Sequence, residues 1–129
     1  MPHIIVSQLV TEAKANTEVE ICGLISKKDN ETFRVYPIDN IASEKHHRFE
    51  MEPAQQIAAM KTMRDNNETL FAIYHTHPHG TAEPSVTDIE QASYPDTLNL
   101  IIALDTDNAP EMRGFYLRNG QVEPVKLKK

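Results

Sequence analysis

The residues best able to do chemistry lie in one run, YHTHPHGTAEPSVTD, Tyr74 to Asp88. His75 and His77 are two positions apart. In a strand that spacing puts both side chains on one face. Two imidazoles converging from one strand end can bind a single cation. Asp88 arrives after a loop, on the first turn of a short helix, and can add a carboxylate oxygen. Two nitrogens and one oxygen suit zinc, whose catalytic sites keep three protein ligands and leave a fourth position for water. Metal binding lowers the pKa of that water to about 7. A nearby carboxylate acting as general base then adds roughly 10²–10⁴ in rate. The chain has 19 acidic residues, and spacing alone does not choose among them.

Several of these residues also have a plainer reading. Ser85-x-x-Asp88 is a relaxed capping box, with Ser85 as N-cap and Asp88 at the third helical position. Capping and metal binding are compatible, because Ser85 can cap a helix and still sit beside a metal. His79 extends the alternation, but Pro78 and Gly80 flank it, so it reads as a loop residue near the cleft. His46 and His47 read as surface loop residues. Cys22 reads as a small buried hydrophobe rather than a nucleophile. Met60 and Met63 read as core at helical spacing.

The elements that must position the motif follow from periodicity. Ile5 to Ala15 has helical spacing of Ile5, Val6, Leu9, Val10 and Ala13. Glu20 to Ser26 (EICGLIS) and Thr32 to Ile38 (TFRVYPI) read as strands joined by a turn at Lys27-Lys28-Asp29-Asn30. Asn40 to Met51 is a loop. Pro53 opens a second helix with Ala54, Ile57, Ala58, Met60 and Met63 as its expected buried face, ended by Asp65-Asn66-Asn67. Leu70 to Thr76 (LFAIYHT) is a buried strand that carries the histidine pair. Ser85 to Ala92 is a short helix stopped near Pro95, and Leu98 to Leu104 is the most apolar strand. Met112 to Leu117 and Gln121 to Val125 form a hairpin around Asn119-Gly120. This irregular alternation predicts an α/β fold with a mixed sheet flanked by helices.

Composition bounds the rest. The 129 residues make one domain, with 40% apolar and 25% charged residues. A formal charge of -6 argues against nucleic-acid binding, which needs a basic face. The only basic run is Lys126, Lys128 and Lys129. A single cysteine excludes an internal disulfide and fits a reducing compartment. Residues 1–15 carry no basic and apolar leader pattern, and no apolar stretch approaches ~18 residues. The expected address is the cytoplasm, with no membrane partner.

The pattern His75-Thr76-His77, seven residues, then Ser85-x-x-Asp88 resembles the signature of the JAMM (MPN+) zinc metallopeptidases. The similarity extends to EICGLI (Glu20 to Ile25), FEMEP (Phe49 to Pro53), YPD and the apolar strand beyond. The resemblance implies a cytidine-deaminase-like core and one zinc on His75, His77 and Asp88. It makes Glu20 the general base, with Glu18 as runner-up, and gives Ser85 the tetrahedral intermediate to stabilise. The short chain looks like the compact stand-alone prokaryotic members. Some of these process small ubiquitin-like sulfur carriers, cutting after a C-terminal Gly-Gly at a peptide or isopeptide bond. A metal-free binding scaffold and a zinc hydrolase of a small amide are the rival readings. A DNA-repair relative of the RadC type shares the motif, but its helical DNA-binding segment is not seen here and the charge is wrong for DNA. Oligomeric state is not legible.

Overall fold

The computed structural model describes residues 1–29, 31–104 and 110–127. Asn30 of the expected turn and Lys128 and Lys129 of the basic run lie outside the described residues. The chain runs α1 (His3–Lys14), β1 (Cys22–Lys28), β2 (Thr32–Ile38), α2 (Pro53–Asp65), β3 (Thr69–His77), α3 (Val86–Gln91), β4 (Leu98–Ala103), β5 (Glu111–Arg118) and β6 (Gln121–Val125). The strands form one six-stranded sheet in the order β2-β1-β3-β4-β5-β6. Only β3 and β4 run parallel; the other neighbours are antiparallel. The mixed sheet flanked by helices is therefore as expected.

The parallel pair is the reason for α3. A hairpin cannot join parallel strands, so the chain must leave the end of β3 and return beside it by a crossover. That crossover carries Ser85 and Asp88. Every residue of β4 is buried, which its near-continuous apolar sequence requires of a strand covered on both faces.

The two faces have separate cores. On one, Ile5, Leu9 and Ala13 of α1 pack on Ile25, Ala72, Tyr74, Leu100 and Ile102. The spacing of four in α1 makes that stripe. Gly23 allows the close approach on this face: a Cβ there would lie 2.5 Å from both the Tyr36 carbonyl oxygen and the Tyr74 ring. On the other face, Ala59 and Met63 of α2 pack on Leu24, Ile38 and Ile73. Farther across, Ala82 and Ile89 pack with Ile101, Ala103, Phe115 and Leu117. His75 and His77 point to this second face, between its two apolar clusters.

Local chemistry sets the ends of the elements. Glu52 caps α2, its carboxylate accepting from Ala54 N (3.1 Å) and Gln55 N (2.7 Å) ahead of Pro53 and the first turn. The helix ends with Asn67 in the left-handed region (φ 59°), Asn67 N donating to Arg64 O and Glu68 N to Met63 O. This is a Schellman closure. Asn119 (φ 52°) and Gly120 (φ 77°) make the two-residue β5–β6 turn. Among the described residues no helix is long and apolar enough to cross a membrane.

Two expectations need correction. The first strand starts at Cys22, so Glu20 and Ile21 precede it. The buried face of α2 is Ala59 and Met63 with Met60 beside them, while Ile57 is 68% exposed and Ala54 and Ala58 are also exposed. Met63→Ala should lower unfolding free energy by about 2–5 kcal/mol. Ile57→Ser should change it by no more than about 0.5 kcal/mol. Urea unfolding of both variants checks the assignment, and the reverse order would refute it.

Candidate metal centre

The last turn of the β3 ribbon is held from both sides. Thr76 N donates to Ile21 O (3.0 Å) and Ile21 N to Thr76 Oγ1 (2.9 Å). On the β4 side His77 pairs with Ala103, and Leu104 N donates to His77 O (3.1 Å). His75 and His77 are thus fixed on one face by period-two geometry, 2% and 7% exposed.

Past His77 the chain turns at Gly80 (φ 101°). The Thr81 carbonyl then accepts from His77 Nδ1 at 2.8 Å. Ser85 starts α3, its Oγ accepting from Asp88 N (3.0 Å) while Asp88 Oδ2 accepts from Ser85 N (2.9 Å). This is the reciprocal capping box. The same Oδ2 lies 3.1 Å from His75 Nε2 and 3.1 Å from His77 Nε2. The carboxylate that closes the capping box is therefore also within reach of both imidazoles.

Glu20 completes the group. Its backbone is held outside the sheet: its N–H donates to Lys45 O (2.7 Å), and its carbonyl accepts from Asn40 Nδ2 (2.9 Å). The side chain is buried, and Oε1 has no hydrogen-bond partner among the described residues. One ligand atom each from Glu20, His75, His77 and Asp88 lie within 4.8 Å of one another. Glu18 is exposed and outside this group. Burial pushes the Glu20 carboxyl up to about 7, against the pull of His77 and with a push from the Asp88 charge. Desolvation would raise Asp88 too, but hydrogen bonds to His75 and His77 hold it well below the usual carboxylate range. Desolvation lowers His75 and so favours its neutral form.

The donor set fits a cation. Although burial opposes it, hydrogen bonding to Asp88 and to the Thr81 carbonyl raises the His77 pKa. A carbonyl can only accept, so Nδ1 carries a proton, and once Nε2 gives up its own the neutral ring offers a lone pair there. That lone pair faces His75 Nε2 and Asp88 Oδ2, each 3.1 Å away, and those two are themselves 3.1 Å apart. Protons can bridge the two edges to Asp88, whereas a cation would take all three atoms as ligands. A tetrahedral ion with bonds of about 2.0–2.1 Å spaces its ligands by roughly 3.3 Å, close to what is seen. A cleft of about 240 Å³ opens beside His75 and Asp88, lined in part by Phe49, Met51, Gln56, Ile73, Tyr94 and Asn99.

The other sequence candidates lie elsewhere. His79 is exposed beyond the strand end. His46 and His47 are exposed, their rings tilted 50° to each other with centroids 4.0 Å apart. Cys22 is buried with its Sγ against Ile38 O (3.4 Å), and burial, followed by the charges of Glu12, Glu20 and Asp39, pushes the thiol up to about 12. It is no thiolate nucleophile at neutral pH. Three contributors were not anticipated: Phe49, stacked on His75, the Asn40 amide and the Thr81 carbonyl. Phe49 sits in the FEMEP segment, which marked the region without the contact. A backbone carbonyl such as that of Thr81 leaves no signal in side-chain types.

A family model described as prokaryotic homologs of the JAB domain matches residues 2–118. The chain is 26% identical over 127 residues to the CysO-cysteine peptidase of Mycobacterium bovis, covering 95% of this chain and 86% of that protein. It is 28% identical over 95 residues to the desampylase of Haloferax volcanii, covering 72% and 68% respectively. A solution structure of a protein from Desulfitobacterium hafniense superposes with a TM-score of 0.84 at 28% identity, covering 96% of this chain and 87% of that one.

Removing the cap tests the local geometry. Ser85→Ala should destabilise the metal-free protein by about 0.5–2 kcal/mol, read by chemical denaturation. An unchanged midpoint would mean that the Ser85 oxygen does not hold the first turn of α3.

Proposed function

The chain belongs to the prokaryotic homologs of the JAB domain, and from that premise we propose that it is a zinc-dependent peptidase of small ubiquitin-like proteins. It cuts the peptide or isopeptide bond that follows a C-terminal Gly-Gly. The observation that carries this reading is the buried triangle of His75 Nε2, His77 Nε2 and Asp88 Oδ2 at 3.1 Å, with Glu20 beside it and its Oε1 without a partner among the described residues. The names of the relatives support the substrate class, since one is a desampylase and another a CysO-cysteine peptidase. Burial supports Gly-Gly. With His75 only 2% and Asp88 8% exposed, the scissile carbonyl must reach inward on residues with little side chain. A cytoplasmic address and a single zinc per chain go with this reading.

Each residue then has a role. His75, His77 and Asp88 hold the ion. Bound zinc supplies a Lewis acid that acidifies water and polarises a carbonyl. Glu20 takes the proton of the attacking water on its free Oε1 and later gives it to the leaving amine. Ser85 Oγ accepts from Asp88 N, which leaves its own O–H to donate to the oxyanion. Peptide or isopeptide, the atoms balance in the same way: water adds across the C–N bond, giving a carboxylate and an amine.

Purified wild type should carry about one zinc per chain by elemental analysis, and His77→Ala should carry none. Glu20→Gln should keep its zinc and lose roughly 10²–10⁴ in kcat, and Ser85→Ala roughly 10²–10³. The substrate for these assays is a ubiquitin-like sulfur carrier extended past its Gly-Gly by one residue or by a lysine isopeptide. Wild type without metal would leave a binding scaffold as the better account. Zinc-loaded protein that hydrolyses small amides but no carrier conjugate would favour the small-amide hydrolase instead.

A further inference from the structure

The two imidazoles of the centre are held in different ways. His77 has a hydrogen-bond partner for its outer nitrogen, the Thr81 carbonyl at 2.8 Å. Ligand histidines almost always have one, because it fixes the tautomer and the rotation of the ring. His75 lacks it: Nδ1 is buried and has no partner among the described residues. The ring is nevertheless the more buried of the two. What meets it is an aromatic face. Phe49 stacks on His75 with ring centroids 4.4 Å apart and planes 27° from parallel.

Phe49 is itself bracketed by one amide. Asn40 Nδ2 donates to the carbonyl of Arg48 (3.0 Å), and Glu50 N donates to Asn40 Oδ1 (3.0 Å). Ile41 N donates to Glu50 O (2.8 Å), closing the same clamp. The peptide units on both sides of Phe49 are therefore fixed. Asn40 also binds the Glu20 carbonyl, so the loop is referenced to the site and not merely to itself.

We propose that Phe49 is the positioning residue for His75, its ring fixing the direction of that imidazole as the Thr81 carbonyl fixes that of His77. The inference rests on the metal reading above. Rotation of the imidazole out of its plane would drive its edge into the phenyl face. The stack thus holds Nε2 toward His77 and Asp88 with no polar partner at Nδ1. A carbonyl or carboxylate there would also make the ring a stronger donor; a stacked ring fixes direction alone.

The test is zinc affinity by chelator competition in wild type, Phe49→Leu, Phe49→Tyr and Phe33→Leu, with the unfolding midpoint of each metal-free protein. Phe33 belongs to a separate aromatic pair with Phe71, centroids 5.1 Å apart. Phe49→Leu should weaken zinc binding about 10–100-fold. Phe49→Tyr should restore it, and Phe33→Leu should leave it unchanged whatever it does to stability. Phe49→Met serves as a second non-aromatic variant should leucine impair folding. Wild-type affinity in the folded non-aromatic variants would overturn the inference alone, as would an equal loss in Phe33→Leu. A wild type that takes up no zinc would overturn the metal reading and this inference with it.

Discussion

Three electron-rich atoms, two imidazole nitrogens and a carboxylate oxygen, stand 3.1 Å from one another in space that water scarcely reaches. Protons shared with Asp88 or a bound cation hold them together; with neither they repel, and their burial removes the solvent that would screen the repulsion. The surrounding fold has to hold them there. β3 does so by being flanked on both sides at its end, by Ile21 through Thr76 and by β4 through His77. The crossover between the parallel strands does so by bringing back Asp88 in a capping box. One oxygen of Asp88 faces both histidines and the Ser85 N–H, which ties the position of α3 to that of the strand.

Glu20 is placed by different means, and the difference matters for chemistry. A residue inside β1 would be locked to the pleat of the sheet and paired with its neighbours. Glu20 lies two residues before the strand, where Lys45 O and Asn40 Nδ2 hold its backbone. Its carboxylate reaches the donor group with Oε1 unpartnered among the described residues. The loop between β2 and α2 therefore serves both Glu20, through Asn40, and His75, through Phe49.

Much of this was legible in residue types and spacing. Period two put His75 and His77 on one face, Asn119-Gly120 marked the last hairpin, and Asp65-Asn66-Asn67 marked the end of α2. Periodicity failed where two stripes compete. In α2, Ala54, Ile57 and Ala58 look as apolar as Ala59, Met60 and Met63, and only packing against Leu24, Ile38 and Ile73 selects the second set. The strand begins later than the pattern suggests because Ile21 extends the apolar run of β1, while the loop and Thr76 take the backbone hydrogen bonds of Glu20 and Ile21. Contacts that join distant segments, such as Asn40 to Glu20 and Phe49 to His75, depend on tertiary placement that no local pattern encodes.

The most direct test of the centre is X-ray absorption at the zinc edge on the loaded protein, in solution. The account predicts two imidazole nitrogens and one carboxylate oxygen at about 2.0–2.2 Å, with a fourth light-atom ligand from solvent. It also predicts that Asp88→Ala alters that shell while a His46→Ala, His47→Ala double variant leaves it intact. A spectrum unaffected by the loss of Asp88, or one changed by the loss of His46 and His47, would place the ion elsewhere and contradict the account.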